Sequence, residues 1–141
     1  LKLCIICFCL AASIASDASA GTDVIAATQL NQKKSDFDQK VVTVRGYLSI
    51  GPESLYVTTK KGYVGDFWQP DSGCLSLLNT GDLGRAESRL DGKLVEVTGV
   101  FQASNYSYGI SMAECGLTGL DVGGALLKNV RPLTGRPNGN D

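Results

Sequence analysis

The chain has 141 residues, with 13 Lys+Arg, 14 Asp+Glu and no His. At 43% hydrophobic and 19% charged it has the composition of one globular domain, or of one domain plus a processed segment, and argues against full-length disorder. A formal net charge of -1 offers no global attraction for nucleic acid, and the lack of His removes the usual general base and the commonest metal ligand.

Residues 1–20 read as a signal peptide. Lys2 precedes an apolar or small run over residues 3–15, and Ala18-Ser19-Ala20 follows. A basic start, a short apolar core and a small-x-small end are the three parts of a secretory signal. The run is shorter than the roughly 20 apolar residues that a membrane-crossing helix needs, so no stable membrane span is expected after processing. The expected cut is after Ala20, with Ala15 and Ala18 as alternatives, and no lipobox precedes Cys4, Cys7 or Cys9. The expected location is the periplasm or the medium.

The next segment, residues 21–36, is expected to be helical. Residues 23–34 hold helix formers behind a Thr22/Asp23 cap, with Val24, Ala27 and Leu30 near one face. Strands follow. Residues 40–50 are rich in β-branched side chains and alternate, with Val42, Val44 and Leu48 on one face and Thr43, Arg45 and Tyr47 on the other. Gly51-Pro52-Glu53 is a turn, and residues 55–59 return as the second strand of a hairpin. Residues 60–73 read as a loop and 74–78 as a third strand. Leu83, Ala86 and Leu90 suggest a short helix within residues 80–91. Residues 94–102 form the fourth strand, 103–124 a long polar loop, 126–131 the fifth strand, and 133–141 a disordered tail. In that fifth strand Leu126 and Val130 share a face with Lys128, which requires a bulge or an edge position.

An internal repeat links the first and fourth strands. Phe37-Asp38-Gln39-Lys40-Val41-Val42-Thr43-Val44-Arg45-Gly46-Tyr47-Leu48 aligns with Leu90-Asp91-Gly92-Lys93-Leu94-Val95-Glu96-Val97-Thr98-Gly99-Val100-Phe101, five of twelve positions being identical. Gly46 and Gly99 fall inside strands, where Gly weakens pairing but permits a bulge or a sharp bend around a small barrel.

Five strands with a helical insertion after the third is the order of an OB-fold. The expected fold is therefore all-β, or β with short helices: a five-stranded OB-like small barrel over residues 37–132 behind a short N-terminal helix. The segments VTVRGYL-SIGPE-SLYV, LDGKLVEVTGVF and LLKNVRPL resemble those of small exported bacterial OB-like proteins. The resemblance spans about Phe37 to Pro132. It implies a fold and a compartment, and it brings no catalytic residues, since such families are mostly uncharacterised.

Once the signal is removed, Cys74 and Cys115 are the remaining cysteines, and in an exported protein they most simply form one disulfide. A zinc site would want four ligands and has no His to draw on. A catalytic thiol has no His to activate it. In an OB barrel the third and fifth strands run side by side and parallel. Cys74 opens the third, and Cys115 lies in the loop entering the fifth, so both sit at one end.

Candidate binding residues gather in two loops: Tyr63, Phe67 and Trp68 in the first, Tyr106 and Tyr108 in the second. Aromatic rings there can stack on bases or sugars. The competing reading makes Phe67 and Trp68 a plug that closes one barrel end, and it is the one preferred here. Lys60 and Lys61 beside the first loop are offset by Asp66 and Asp71. No spacing selects a catalytic pair among Glu53, Asp66, Asp71 and Glu114. The mature chain contains no G-x-S-x-G, no S-x-x-K and no phosphate-binding loop. Asn105-Tyr106-Ser107 matches a glycosylation sequon. No catalytic residue, cofactor or metal is assigned. Two functions are expected: a non-enzymatic domain that binds a protein or envelope component, or an OB-fold that binds oligosaccharide or single-stranded nucleic acid through its aromatic loops. Of these, nucleic acid has the least support.

Overall fold

A computed structural model describes residues 23–51, 55–62, 73–83, 86–104 and 115–134. The elements, in chain order, are β1 (Val24–Ile25), α1 (Ala27–Gln32), α2 (Lys34–Phe37), β2 (Val41–Ile50), β3 (Leu55–Thr58), β4 (Cys74–Leu78), α3 (Glu87–Leu90), β5 (Leu94–Gln102), β6 (Gly119–Asp121), α4 (Leu126–Asn129) and β7 (Val130–Pro132). Five strands close into a barrel in the order β2-β3-β4-β6-β5 and back to β2, and β1 and β7 lie outside it along β2 and β5. The pair β4–β6 is parallel and the other barrel pairings are antiparallel. The expected OB-like barrel is the fold of the chain.

Alternation decides the barrel's inside. On β2, Val42, Val44 and Leu48 are buried, facing Val57, Leu75, Val95, Val97, Phe101 and Leu120 in one core. Each buried aliphatic or aromatic side chain contributes about 1.5–3 kcal/mol. Ala27 and Leu30 of α1 and Leu126 of α4 join the same core, as do Ala86 and Leu90 around α3.

The repeat has a structural meaning. In the β2–β5 ladder, Val44 lies opposite Val97, its own counterpart in the other copy. A local two-fold axis therefore passes between these two valines. The surrounding bonds obey it. The Gln39 amide donates to the Phe101 carbonyl as the Gly92 amide donates to Leu48, and Asp38 accepts from the Ala103 amide as Asp91 accepts from that of Ile50. Gln39 and Gly92 are equivalent and both take a positive φ, 60° and 69°.

Gly46 and Gly99 mark where each long strand changes partner. At Tyr47 the free edge of β2 takes up β3, and at Val100 that of β5 takes up β6. A Cβ on Gly46 would lie 2.5 Å from the Thr58 carbonyl oxygen, and one on Gly99 2.5 Å from that of Asp121. The expected bend is thus a close crossing of backbones that leaves no room for a side chain.

Three expectations are corrected. The fifth barrel strand is β6, within the segment expected to be a loop. Leu126–Asn129 is instead a helical turn, which buries Leu126 and leaves Leu127 46% exposed, and only Val130–Pro132 is extended, as an outer edge strand. The N-terminal helix starts later than expected, behind Ala26 and with no side-chain cap. The β-branched pair Val24-Ile25 instead adds a parallel strand to β2, leaving Val24 44% exposed.

Cys74 and Cys115 are disulfide-bonded, with Cα atoms 5.2 Å apart. Asn31 of α1 ties both neighbourhoods together. Its side-chain amide donates to the Cys74 carbonyl at 2.8 Å, and its oxygen accepts from the Thr118 hydroxyl at 2.6 Å.

Candidate functional site

The outward residues of β2 are Val41, Thr43, Arg45, Tyr47 and Ser49, alternating with the core-facing ones, and of these outward residues Thr43 is buried. The two copies of the repeat agree inside the barrel and differ outside it. Val42, Val44 and Gly46 match Val95, Val97 and Gly99, whereas Thr43, Arg45 and Tyr47 stand where the other copy has Glu96, Thr98 and Val100. The symmetric scaffold thus carries an asymmetric outer surface, and β2 contributes to two grooves on it.

The first groove lies on the β2–β3 hairpin and has a volume of about 270 Å³. Tyr47 pairs with Thr58, and Ser49 with Tyr56, so the two tyrosines are diagonal neighbours on one face. Both are half-buried. Lys61 and Asp91 complete the walls. The floor is internally satisfied: the Thr58 hydroxyl donates to the Lys60 carbonyl at 2.9 Å, and Asp91 holds the Ile50 amide at 2.9 Å. Two rings flanked by hydroxyls, one cation and one carboxylate suit a ligand with flat apolar and polar parts.

The second groove, about 490 Å³, lies outside the barrel and is lined by Val24 of β1, Thr43, Glu96, Thr98, Lys128 and Arg131, among others. Its charge is organised around Glu96, whose side chain is 5% exposed. Arg45 Nε and Nη2 donate to Glu96 Oε1 at 3.1 and 2.6 Å, and Arg131 Nη2 donates to Oε2. The Arg131 bond, and then that of Arg45, hold the Glu96 carboxyl below the usual range against the opposing effect of burial. This carboxylate stays ionised and bound, and is therefore unsuited to donate a proton near neutral pH. Thr43 and Thr98 share a hydroxyl bond of 2.8 Å beside it.

The loop aromatics Tyr63, Phe67, Trp68, Tyr106 and Tyr108 lie outside the described residues, as do Glu53, Asp66, Asp71 and Glu114. Sequence reasoning missed the Tyr47/Tyr56 pair, although a turn over residues 51–54 implies that Ile50 faces Leu55 and so places both tyrosines on one face. It also missed Glu96, whose partner Arg131 depends on β7. Among the described residues no three potential metal-ligating side chains converge, and no helix is long and apolar enough to cross a membrane. No protein-family model matches the chain, and comparisons with curated proteins and with solved structures find no match.

Proposed function

We propose that the protein is an exported, non-enzymatic binding domain acting on a protein or envelope partner, through the groove of the β2–β3 hairpin. The carrying observation is the half-buried pair Tyr47 and Tyr56 at diagonal positions on the outward face. OB-like barrels bind on the face of their second and third strands and through the adjoining loops, and β3 is the second strand here. Tyrosine brings large contact area at small entropic cost and is enriched among binding hot spots. Membership of the small exported OB-like proteins belongs to the same proposal, supported by the strand order and by the helical insertion after β4. The disulfide supports an oxidising compartment.

The test is recovery of cross-linked partners from the periplasm with wild-type protein and with Tyr47→Ser/Tyr56→Ser. One stoichiometric partner that the double variant loses supports the reading. Equal recovery with both proteins refutes the groove as the contact. The same rings favour a second reading, stacking on a sugar or an exposed base. Tyrosine fluorescence titrated with oligosaccharides, and with an oligonucleotide at two salt concentrations, tests it: a saturable change points to that ligand class, and salt sensitivity marks the nucleic acid.

A further inference from the structure

The second groove lies beside β7 and shares no lining residue with the first, and its charge is concentrated. The chain as a whole carries -1. Arg131 and Lys128 line this groove, against Glu96 as the one carboxylate among the lining residues, and Arg45, outside the lining, is bonded to the same Glu96. Two guanidiniums hold opposite oxygens of that carboxylate, so they sit side by side in a fixed relation. A guanidinium has five N–H donors. Arg45 directs only Nε–H and one Nη2–H at Glu96, and Arg131 only one Nη2–H. Most donors of both forks are left over, and their side chains are 54% and 72% exposed. Lys128 has no ion-pair partner among the described residues and stands on the groove wall.

We infer that this groove binds a phosphate group through Arg131 and Lys128, with Arg45 holding Glu96 from outside the lining. Two lining cations, beside a carboxylate that Arg45 also helps to neutralise, match a ligand of one or two negative charges. Guanidinium forks suit phosphate oxygens, and the lysine adds a point charge. Burial of Glu96 is what fixes the forks, since an exposed carboxylate would leave two long side chains mobile. At about 490 Å³ the groove exceeds a lone phosphate ion, so the group belongs to a larger ester. A soluble phosphate ester and a phospholipid headgroup share this chemistry.

Amide and arginine side-chain resonances of the full, isotope-labelled chain are followed in two titrations. One uses glycerol phosphate against sodium chloride of matched ionic strength. The other uses phosphatidylglycerol vesicles against phosphatidylcholine vesicles. Saturable shifts at Thr98, Asn129 and Arg131 are expected, with Lys60 and Lys61 unmoved. Glycerol phosphate alone acting assigns a soluble ester, and vesicles acting assigns the headgroup. Arg131→Lys, which keeps the charge and loses the fork, should weaken binding about tenfold, the worth of one charged hydrogen bond. Lys128→Ala should weaken it about threefold, the worth of an exposed charge, without touching the fold. No saturable shift with either probe overturns the inference. So does unchanged affinity in Lys128→Ala, which remains decisive if Arg131→Lys fails to fold.

Discussion

Replacing Gly46 with alanine adds one methyl group where β2 crosses from β5 to β3. That carbon would lie 2.5 Å from the Thr58 carbonyl oxygen and 2.6 Å from Val57 Cγ2. The first neighbour is main chain and cannot rotate away, so the β2–β3 pairing must open locally. Overpacking of this kind costs about 3 kcal/mol at the upper end of its usual range. Removing glycine from a strand returns about 0.5–1 kcal/mol of backbone entropy. The net expectation is a loss of about 2 kcal/mol. The two-fold axis predicts the same for Gly99→Ala, whose added carbon meets the Asp121 carbonyl oxygen at 2.5 Å and Leu120 Cγ at 2.9 Å. Gly92→Ala separates space from backbone strain, because its φ is +69° yet nothing lies within 4 Å of the added carbon. It should cost only about 1 kcal/mol. Urea unfolding measures all three: with a slope of about 1.5 kcal/mol per molar, the first two midpoints fall by more than 1 M at unchanged slope. Gly46→Ala and Gly99→Ala both within about 0.5 kcal/mol of wild type would refute the close crossing as the reason for glycine.

Gln39→Gly should change stability by less than about 0.5 kcal/mol, because relief of the left-handed backbone offsets loss of the 2.6 Å bond to Gln102; a loss above about 1.5 kcal/mol would mean that the strain is absent. Reducing the Cys74–Cys115 bond, which spans a sequence separation of 41, should cost roughly 4 kcal/mol in the chain-entropy model, read as the urea midpoint with and without reductant. Glu96 has its carboxyl pKa lowered by folding, so its stabilisation is complete above the ordinary carboxylate pKa and is lost as pH falls through the lowered one. Unfolding of Glu96→Gln followed from neutral to acid pH should lack that acid-side loss, and parallel curves for variant and wild type would contradict the assignment.

The four longer strands were legible because their sequences repeat what the fold needs. In Val41–Ile50, β-branched residues alternate with polar ones, and the face read from the sequence, Val42, Val44 and Leu48, is the one in the core, although Thr43 on the other face is buried as well. Leu94–Gln102 has the bounds read from the sequence, and its Val95, Val97 and Phe101 lie in the core. Gly119–Asp121 was not legible: three residues beginning with glycine hold no run of alternation, and their place is decided by the parallel pairing with β4. Residues 126–131 misled because Leu126 and Val130 are both partly or wholly buried for different reasons, one on a helical turn and one on an edge strand. The disulfide survived that error, since Cys115 precedes the true fifth strand as closely as the reasoning required. The outer grooves depended on register and on β7. Composition and loop position directed attention to the loop aromatics instead.

The β2–β5 ladder has a consequence for the order of assembly. It joins segments about fifty residues apart, whereas β2 and β3 form a local hairpin. Loop closure must precede any gain from the distant pairs, so the hairpin can form early while Val41–Gly46 waits for β5. During that wait the run Val41-Val42-Thr43-Val44 is an unpaired, β-branched edge, the kind that recruits other chains. Early oxidation does not shorten the wait. Cys74 and Cys115 enclose β5 within their loop but leave β2 outside it, so the bond brings β4 towards β6 and does nothing to draw β5 to β2. Folding of this barrel should therefore have a concentration-sensitive yield set by the rate of β2–β5 closure, with Arg45 the one charge within the exposed edge to oppose self-association.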